Sequence, residues 1–326
     1  MHRLKSEKRH TSLPFGIVFF LSLTLLLSGC KEQALHSYAS KDVAKTTTSL
    51  QFTDSLGRVV RLSQKPLRVV ALSASYAETW LLAGGTLVGT TSDAHTRTEF
   101  TLSKEVATIG TIKDPNSEAI ISLEPDFVLL STDIPSHLAL SPLLTGCGIP
   151  HAFFHVEEMN DYLRMLEICT TLTGNKENYQ TNGVEVQQSV TALLAKQAYQ
   201  EDNQTYLLLR CYSTTVKAKA EDLMLSMMLS DLGLTNLTER YPSLLEDLSM
   251  ETIVWEEPTY IFVIPMGDER AALATMDHML VSNRAFASLE AVQNGRYHLL
   301  PKNLFHYKPN NRWGDSYAYL ANILSK

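Results

Sequence analysis

Cysteine is scarce in this chain. Only Cys30, Cys147, Cys169 and Cys211 occur in 326 residues, none of them in a C-x-x-C pair, which disfavours a zinc ribbon and a disulfide framework. Beyond Cys30 the number is odd, so at most one disulfide can form, and three buried apolar thiols are expected. A G-x-S-x-G elbow and an H-E-x-x-H helix are both missing, and no acid/base pair stands out among the scattered carboxylates. A lipid-anchored secreted hydrolase, the enzymatic alternative, is thereby disfavoured, and no catalytic activity is expected. Positive charge is short as well: the formal net charge is −7 at pH 7, which argues against a nucleic-acid partner. No long apolar run lies in the body of the chain.

The apolar run that does occur lies at the start. Phe15 to Leu27 follows a basic segment containing Arg3, Lys5, Lys8 and Arg9, and it ends in Leu27-Ser28-Gly29-Cys30. This order reads as a secretory signal over residues 1–29, with a lipobox-like end that makes Cys30 the acylated first residue. The expected location is the extracytoplasmic face of the cell membrane, held by a lipid anchor. Cleavage removes four cations and one carboxylate, so the formal charge falls from −7 to −10. Residues 30–49 are polar, without apolar period, and read as a flexible tether. About 277 residues remain, more than one core usually serves, and two lobes are the natural division.

A repeat supports that division. Asn116-Ser-Glu118-Ala-Ile120-Ile-Ser-Leu-Glu-Pro125 is matched 133 positions later by Ser249-Met-Glu251-Thr-Ile253-Val-Trp-Glu-Glu-Pro258. Each copy predicts a capped short helix with Glu in its first turn, broken by Pro before an apolar strand. Each lobe would then present one carboxylate, a pair suited to a symmetric dimeric partner.

Elsewhere, Phe52 to Val60 predicts a hairpin around an Asp/Gly turn, Pro66 to Leu72 a buried strand, and Ser73 to Leu82 a helix closed by Gly84-Gly85. Leu87 to Gly89 follows as a strand, and this rhythm implies parallel pairing with ligands at the carboxyl ends of strands. A helix over Asp161 to Cys169 ends near Gly174. The expected division is an N-terminal α/β lobe over 50–175, one long connecting helix over 176–202, and a C-terminal α/β lobe over 203–326.

The segments Thr53-Asp54-x-x-Gly57-Arg58, Pro66-x-Arg68-Val69-Val70, Glu78, Val88-Gly89 and Ile109-Gly110, with the first Glu repeat, resemble substrate-binding proteins of the iron-siderophore, haem and cobalamin ABC importers. Leu248-Ser-Met-Glu251 and Leu300-Pro-Lys-x-Leu-Phe305-His-x-Lys-Pro309 extend the match over nearly all of the mature chain. The resemblance implies a class III periplasmic-binding-protein fold: two Rossmann-like lobes joined by a single long helix, with a metal chelate bound in a shallow cleft. It also implies a partner, an ABC permease dimer with its cytoplasmic ATPase, onto which Glu118 and Glu251 dock, and only small lobe movements.

The predicted cleft loops hold Ser75 and Tyr76, Lys113, Thr132 and Asp133, Arg210 and Tyr212, Lys217 and Lys219, and then Phe305, His306, Lys308, Arg312 and Trp313. Cations outnumber acids among them, which favours an anionic chelate, and Arg210 leads because it ends a buried strand where a charge needs a partner. No resident cofactor or directly bound metal is expected. His306 is the candidate axial ligand if the cargo is haem, with Tyr307 or Tyr76 as alternatives. His151 and His155 near Glu157 do not make a metal site, since i and i+4 in a strand lie roughly 13 Å apart. Cobalamin is the second cargo in the same architecture, weakened by Ile112 and Ser131 where an aromatic platform is expected.

Overall fold

The computed structural model describes residues 50–197, 204–220 and 223–325. Cys30, the signal segment, the tether and residues 198–202 of the expected connecting helix lie outside them. The chain opens on a hairpin in which β1 (Leu50–Thr53) pairs antiparallel with β2 (Val59–Leu62). Its turn is organised by the Asp54 carboxylate, which accepts the backbone N–H of Leu56 and Arg58 and, at 2.8 Å, the Arg58 guanidinium. Side-chain acceptance of this kind mimics a backbone turn.

The N-terminal lobe then runs β3 (Val69–Ala71), α1 (Ala74–Leu82), β4 (Leu87–Thr90), β5 (Ala107–Thr108), α2 (Ser117–Ser122), β6 (Phe127–Ser131), α3 (Pro135–Gly146), β7 (His151–Phe154) and α4 (Met159–Thr173). Its strands form a parallel sheet in the order β5-β4-β3-β6-β7. β3 and β6 are buried throughout, as strands covered on both faces must be, and so they read as continuous apolar runs. Ser73 caps α1 by accepting the Tyr76 N–H. Past the helix, Gly85 gives Trp80 its place: a Cβ there would lie 2.2 Å from the indole nitrogen.

α5 (Lys176–Tyr179) and α6 (Glu185–Gln197) are joined through one π turn over Gln180–Val184, making a single helical passage between the lobes. Gly183, buried within the π turn, allows a close approach: a Cβ there would lie 3.2 Å from Tyr179 and 3.3 Å from the α4 side chains Leu163 and Leu166. The C-terminal lobe contains β8 (Thr205–Cys211), β9 (Val216–Ala218), α7 (Met224–Asp231), β10 (Thr235–Asn236), α8 (Leu237–Arg240), α9 (Met250–Glu256), β11 (Tyr260–Pro265), α10 (Glu269–Met276), α11 (Arg284–Ala287), α12 (Glu290–Gln293), β12 (Tyr297–Leu299), α13 (Lys302–Phe305) and α14 (Trp313–Leu324). Strand order is β10-β8-β11-β12, all parallel, with β9 folded back antiparallel onto β8.

The repeat is structural as well as sequential. Asn116 and Ser249 both cap their helices with a side-chain oxygen. Ile120 and Ile253 are both fully buried, and Glu124 and Glu257 both adopt left-handed backbone, at φ 46° and 45°, just before the proline. Of the three thiols expected to be buried, Cys169 and Cys211 are, whereas Cys147 is exposed, and all three are free. Cys147 caps α3 between Gly146 and Gly148, where the chain turns in solvent.

Each sheet has a private apolar cluster on one face, built around Val70, Val128 and Phe153 in one lobe and Leu207, Ile261 and Phe286 in the other. The opposite faces share one cluster, in which Trp80, Phe127 and Tyr162 join Tyr206, Phe262, Phe305 and Trp313. A buried polar clasp crosses this boundary. Glu78 on α1, 3% exposed, accepts the Arg312 guanidinium at 2.5 and 3.2 Å and the Asn310 amide at 2.6 Å. Asn310, at φ 54°, also donates to the Ser75 carbonyl and accepts from Thr79.

Removing one partner from a buried pair strands the other charge, at a cost of about 3–5 kcal/mol. Arg312→Ala is therefore expected to lower the urea midpoint sharply with an unchanged slope, while the double variant Glu78→Gln, Arg312→Met recovers much of the loss.

Acid is expected to destabilise the fold. Ser131 N–H donates to His137 Nδ1 and His137 Nε2–H to the Ile112 carbonyl; burial lowers the pKa of His137, as it does those of His151 and His306. The unfolded chain takes up these protons near the ordinary histidine value and the folded chain only at lower pH, so stability is complete above about pH 6.5 and declines below it. Calorimetric melting between pH 7 and 5 is expected to show this decline, with a shallower slope in His137→Gln.

Candidate functional site

Alternation along β8 decides what this strand offers. Leu207, Leu209 and Cys211 point into the private core of the C-terminal lobe, while Tyr206 and Leu208 face the cluster shared between lobes. Arg210 follows on that second face, one pleat nearer the carboxyl end of the strand, with Lys217 of β9 opposite it in register. The segment after β12 adds Lys302, His306, Tyr307 and Lys308. From the N-terminal lobe come Arg97 and Glu99, beyond the carboxyl end of β4, and Glu157, beyond that of β7.

These elements meet in a cleft. Its mouth is a cavity of about 600 Å³ lined by Arg97 and Glu99 from one lobe and by Glu269, Lys302, Tyr307 and Tyr319 from the other, a volume suited to a small-molecule ligand. The Arg97 guanidinium lies 3.2 Å from the centroid of the Tyr307 ring. Beside it is a chamber of about 60 Å³, lined by Glu157, Arg210, His306 and Lys308 with Met224, Leu225, Ile264 and Phe305 as apolar wall. Lys308 bridges the lobes through an ion pair with Glu157 at 2.9 Å.

The charges divide unevenly. Arg97, Arg210, Lys302 and Lys308 face Glu99, Glu157 and Glu269 across the two spaces. Each carboxylate has a cation: Glu99 lies 3.9 Å from Arg97, Glu269 lies 3.8 Å from Lys302, and Glu157 pairs with Lys308. Arg210 makes no ion pair among the described residues, and its buried Nε has no hydrogen-bond partner. The buried Nδ1 of His306 is likewise unpartnered. His306 is held neutral, its pKa pushed down to about 4 by burial first and then by Arg210, Lys302 and Arg97. The arrangement offers one uncommitted cation and one neutral imidazole in a confined, partly apolar space, the chemistry of an oxyanion or carboxylate site.

The other residues singled out from the sequence are dispersed. Tyr76 is a core residue, 4% exposed; its hydroxyl donates to the Phe154 carbonyl, and burial raises its pKa. Phe305 and Trp313, each 2% exposed, fill the shared cluster. Arg312 is committed to Glu78, and the Ser75 carbonyl to Asn310. None of these, apart from Phe305 as wall, presents its side chain to the cleft: helical and strand geometry turns them inward. Asp133 pairs with His155 at 2.6 Å beyond the carboxyl ends of β6 and β7, Thr132 donates to Asp133, and Lys113 is exposed in the turn before α2. Tyr212, Lys217 and Lys219 belong to the β8–β9 hairpin and its exit and line neither space. No group of three or more His, Cys, Asp or Glu side chains suited to a metal ion occurs among the described residues. Sequence reasoning missed Arg97, Glu99, Glu269 and Lys302. The strand-end rule applied after β4 leads to the first two, and Lys302 sits within the terminal motif itself.

Glu118 and Glu251 are exposed in the first turns of α2 and α9, and neither makes a hydrogen bond or ion pair among the described residues.

No curated protein sequence matches the chain. Among solved structures it is similar to Staphylococcus aureus IsdE complexed with heme, at 16% identity, covering 80% of this chain and 99% of that one with a TM-score of 0.63. Staphylococcus aureus SirA complexed with staphyloferrin B gives 16% identity, 84% and 96% coverage and a TM-score of 0.62. The periplasmic vitamin B12 binding protein BtuF of Vibrio cholerae gives 18%, 80% and 97%, and 0.61. At these identities the likeness is one of fold, the two-lobed class III periplasmic-binding-protein fold. The profile of the periplasmic binding protein family matches residues 69–304. That span takes in both lobes, the helix between them and most of the cleft, and the chain therefore belongs to the periplasmic binding protein family, which binds and passes on solutes without transforming them.

Proposed function

We propose that this chain is a lipid-anchored, extracytoplasmic substrate-binding protein that captures an anionic iron chelate, a siderophore or haem, and delivers it to an ABC permease. The observation that carries the choice of cargo is Arg210: every carboxylate in the cleft already has a cation, and this guanidinium remains for a ligand. A chelate bearing a carboxylate or catecholate would take its Nε–H and the imidazole of His306, with Lys302 and Arg97 above and Tyr307 as a flat contact. Two of the similar structures hold heme and staphyloferrin B. Cobalamin, bound by another of them, would make less use of an unpaired cation. Anchoring rests on the Ser-Gly-Cys30 sequence after the apolar run, and delivery on the in-register pair Glu118 and Glu251, exposed and unpartnered on the two lobes.

Calorimetric titration of the chain from Lys31 onward with ferric citrate-type, ferric catecholate and ferric hydroxamate siderophores, haem and cyanocobalamin is expected to give saturable binding of one anionic chelate. Arg210→Ala should weaken it by roughly 10- to 150-fold, the size of a hydrogen bond to a charged group. Binding of cyanocobalamin alone, or an Arg210→Ala variant that binds as the parent does, would overturn the reading. Exchanging both Glu118 and Glu251 for Arg is expected to abolish cargo uptake by cells while leaving the calorimetric affinity unchanged. Normal uptake would remove the docking assignment.

A further inference from the structure

The two docking helices are alike in backbone and different in surface. Trp255 on α9 is 85% exposed, beyond every other large apolar side chain among the described residues. It borders an open groove of about 790 Å³, lined also by Met250, Val254, Tyr241 and Ala285, in which Glu251 is the single charged side chain. The groove wall is fixed, since the Tyr241 hydroxyl donates to the Glu256 carboxylate. In the register of the repeat, Met250 and Trp255 correspond to Ser117 and Ser122 on α2, and Ser122 turns its hydroxyl back onto the Ala119 carbonyl.

We infer that the groove beside Glu251 receives an apolar side chain of the permease subunit that docks on the C-terminal lobe, next to the cation that meets Glu251, and so fixes which way round the two lobes sit on their partner. The inference rests on the docking reading above and extends it. Glu251 lies inside the groove, so whatever neutralises that carboxylate must also lie over Trp255. Glu251 is the one charge inside the groove, Glu256 at its edge being answered by Arg240 at 4.0 Å, so an anionic lipid surface or a second copy of the same groove would bring like charge against it. A near-symmetric pair of permease subunits would meet two equal carboxylates, and an apolar seat on one lobe breaks that equivalence. Trp and Tyr, both present on this groove, are among the residues that most often carry the binding energy of an interface.

The test places a photo-reactive side chain on each helix of the full-length, membrane-anchored protein, as Trp255→p-benzoylphenylalanine and as Ser122→p-benzoylphenylalanine, in the cells that produce it, with mass-spectrometric identification of what is joined. The expected result is a cross-link from position 255 to a polytopic ABC permease subunit, lost when Glu251→Arg is added. Trp255→Ser should then weaken binding to that purified importer by roughly thirty-fold, and Ser122→Ala by less than about twofold, with cargo binding retained in both. A permease cross-link from position 122 without one from 255 would overturn the groove and leave docking standing. Permease cross-links from neither position would remove the docking reading itself. Attachment of position 255 to phospholipid, to a second copy of this chain or to a protein outside the importer would overturn the inference.

Discussion

A buried carboxylate joins the two ends of this fold. Glu78 lies in the first helix of the N-terminal lobe, and both of its oxygens are taken by Arg312 and Asn310, more than two hundred residues later in the chain. A charge withdrawn from water in this way is tolerable only with its partners in place, so the path of the segment from Pro301 to Arg312 is set by the N-terminal lobe. That segment carries Lys302, His306, Tyr307 and Lys308. The cleft side chains of the C-terminal half are therefore held against the N-terminal half by a polar clasp, by the shared apolar cluster and by the connecting helix, whose α6 portion packs on α14. A hinge motion between the lobes would have to break packing and a buried ion pair together.

The cleft follows from the same constraint. With the C-terminal segment fixed, Lys308 reaches Glu157 and Tyr307 reaches Arg97. These contacts satisfy the charges at the boundary and leave Arg210 and His306 facing an enclosed space. The neutral state of His306 follows first from its burial and then from its neighbours: a proton placed there would lose most of its water and stand among three cations. What sets this cleft apart is the charge left over rather than the number of charges present.

Much of this was legible along the chain. The Asp54 turn, the Ser73 cap, the parallel strand rhythm and the doubled Glu motif depend on neighbours within a few residues, and short-range hydrogen bonding and apolar periodicity report them directly. Arg210 was legible too, because a guanidinium ending an apolar strand is conspicuous. The list of cleft side chains was less so. Tyr76 and Arg210 both lie near strand ends, yet one turns inward to the Phe154 carbonyl and the other faces the chamber, a difference fixed by helical phase and pleat. Arg97 and Lys302 stood where a strand-end rule and the terminal motif point, but what makes them cleft residues is each other's lobe.

The sequence by itself determined the two-lobed α/β architecture, the capped helices that carry Glu118 and Glu251, and the acidic character of the chain, because each arises from local propensity, from spacing or from summed charge. Only the tertiary structure decided that Arg312 and Trp313 serve the framework rather than the cleft, that Arg210 is the cation left unpaired, and that Trp255 stands exposed beside Glu251. Those outcomes depend on which distant carboxylate or apolar surface each side chain meets, and the competition for partners is settled when the lobes close on one another.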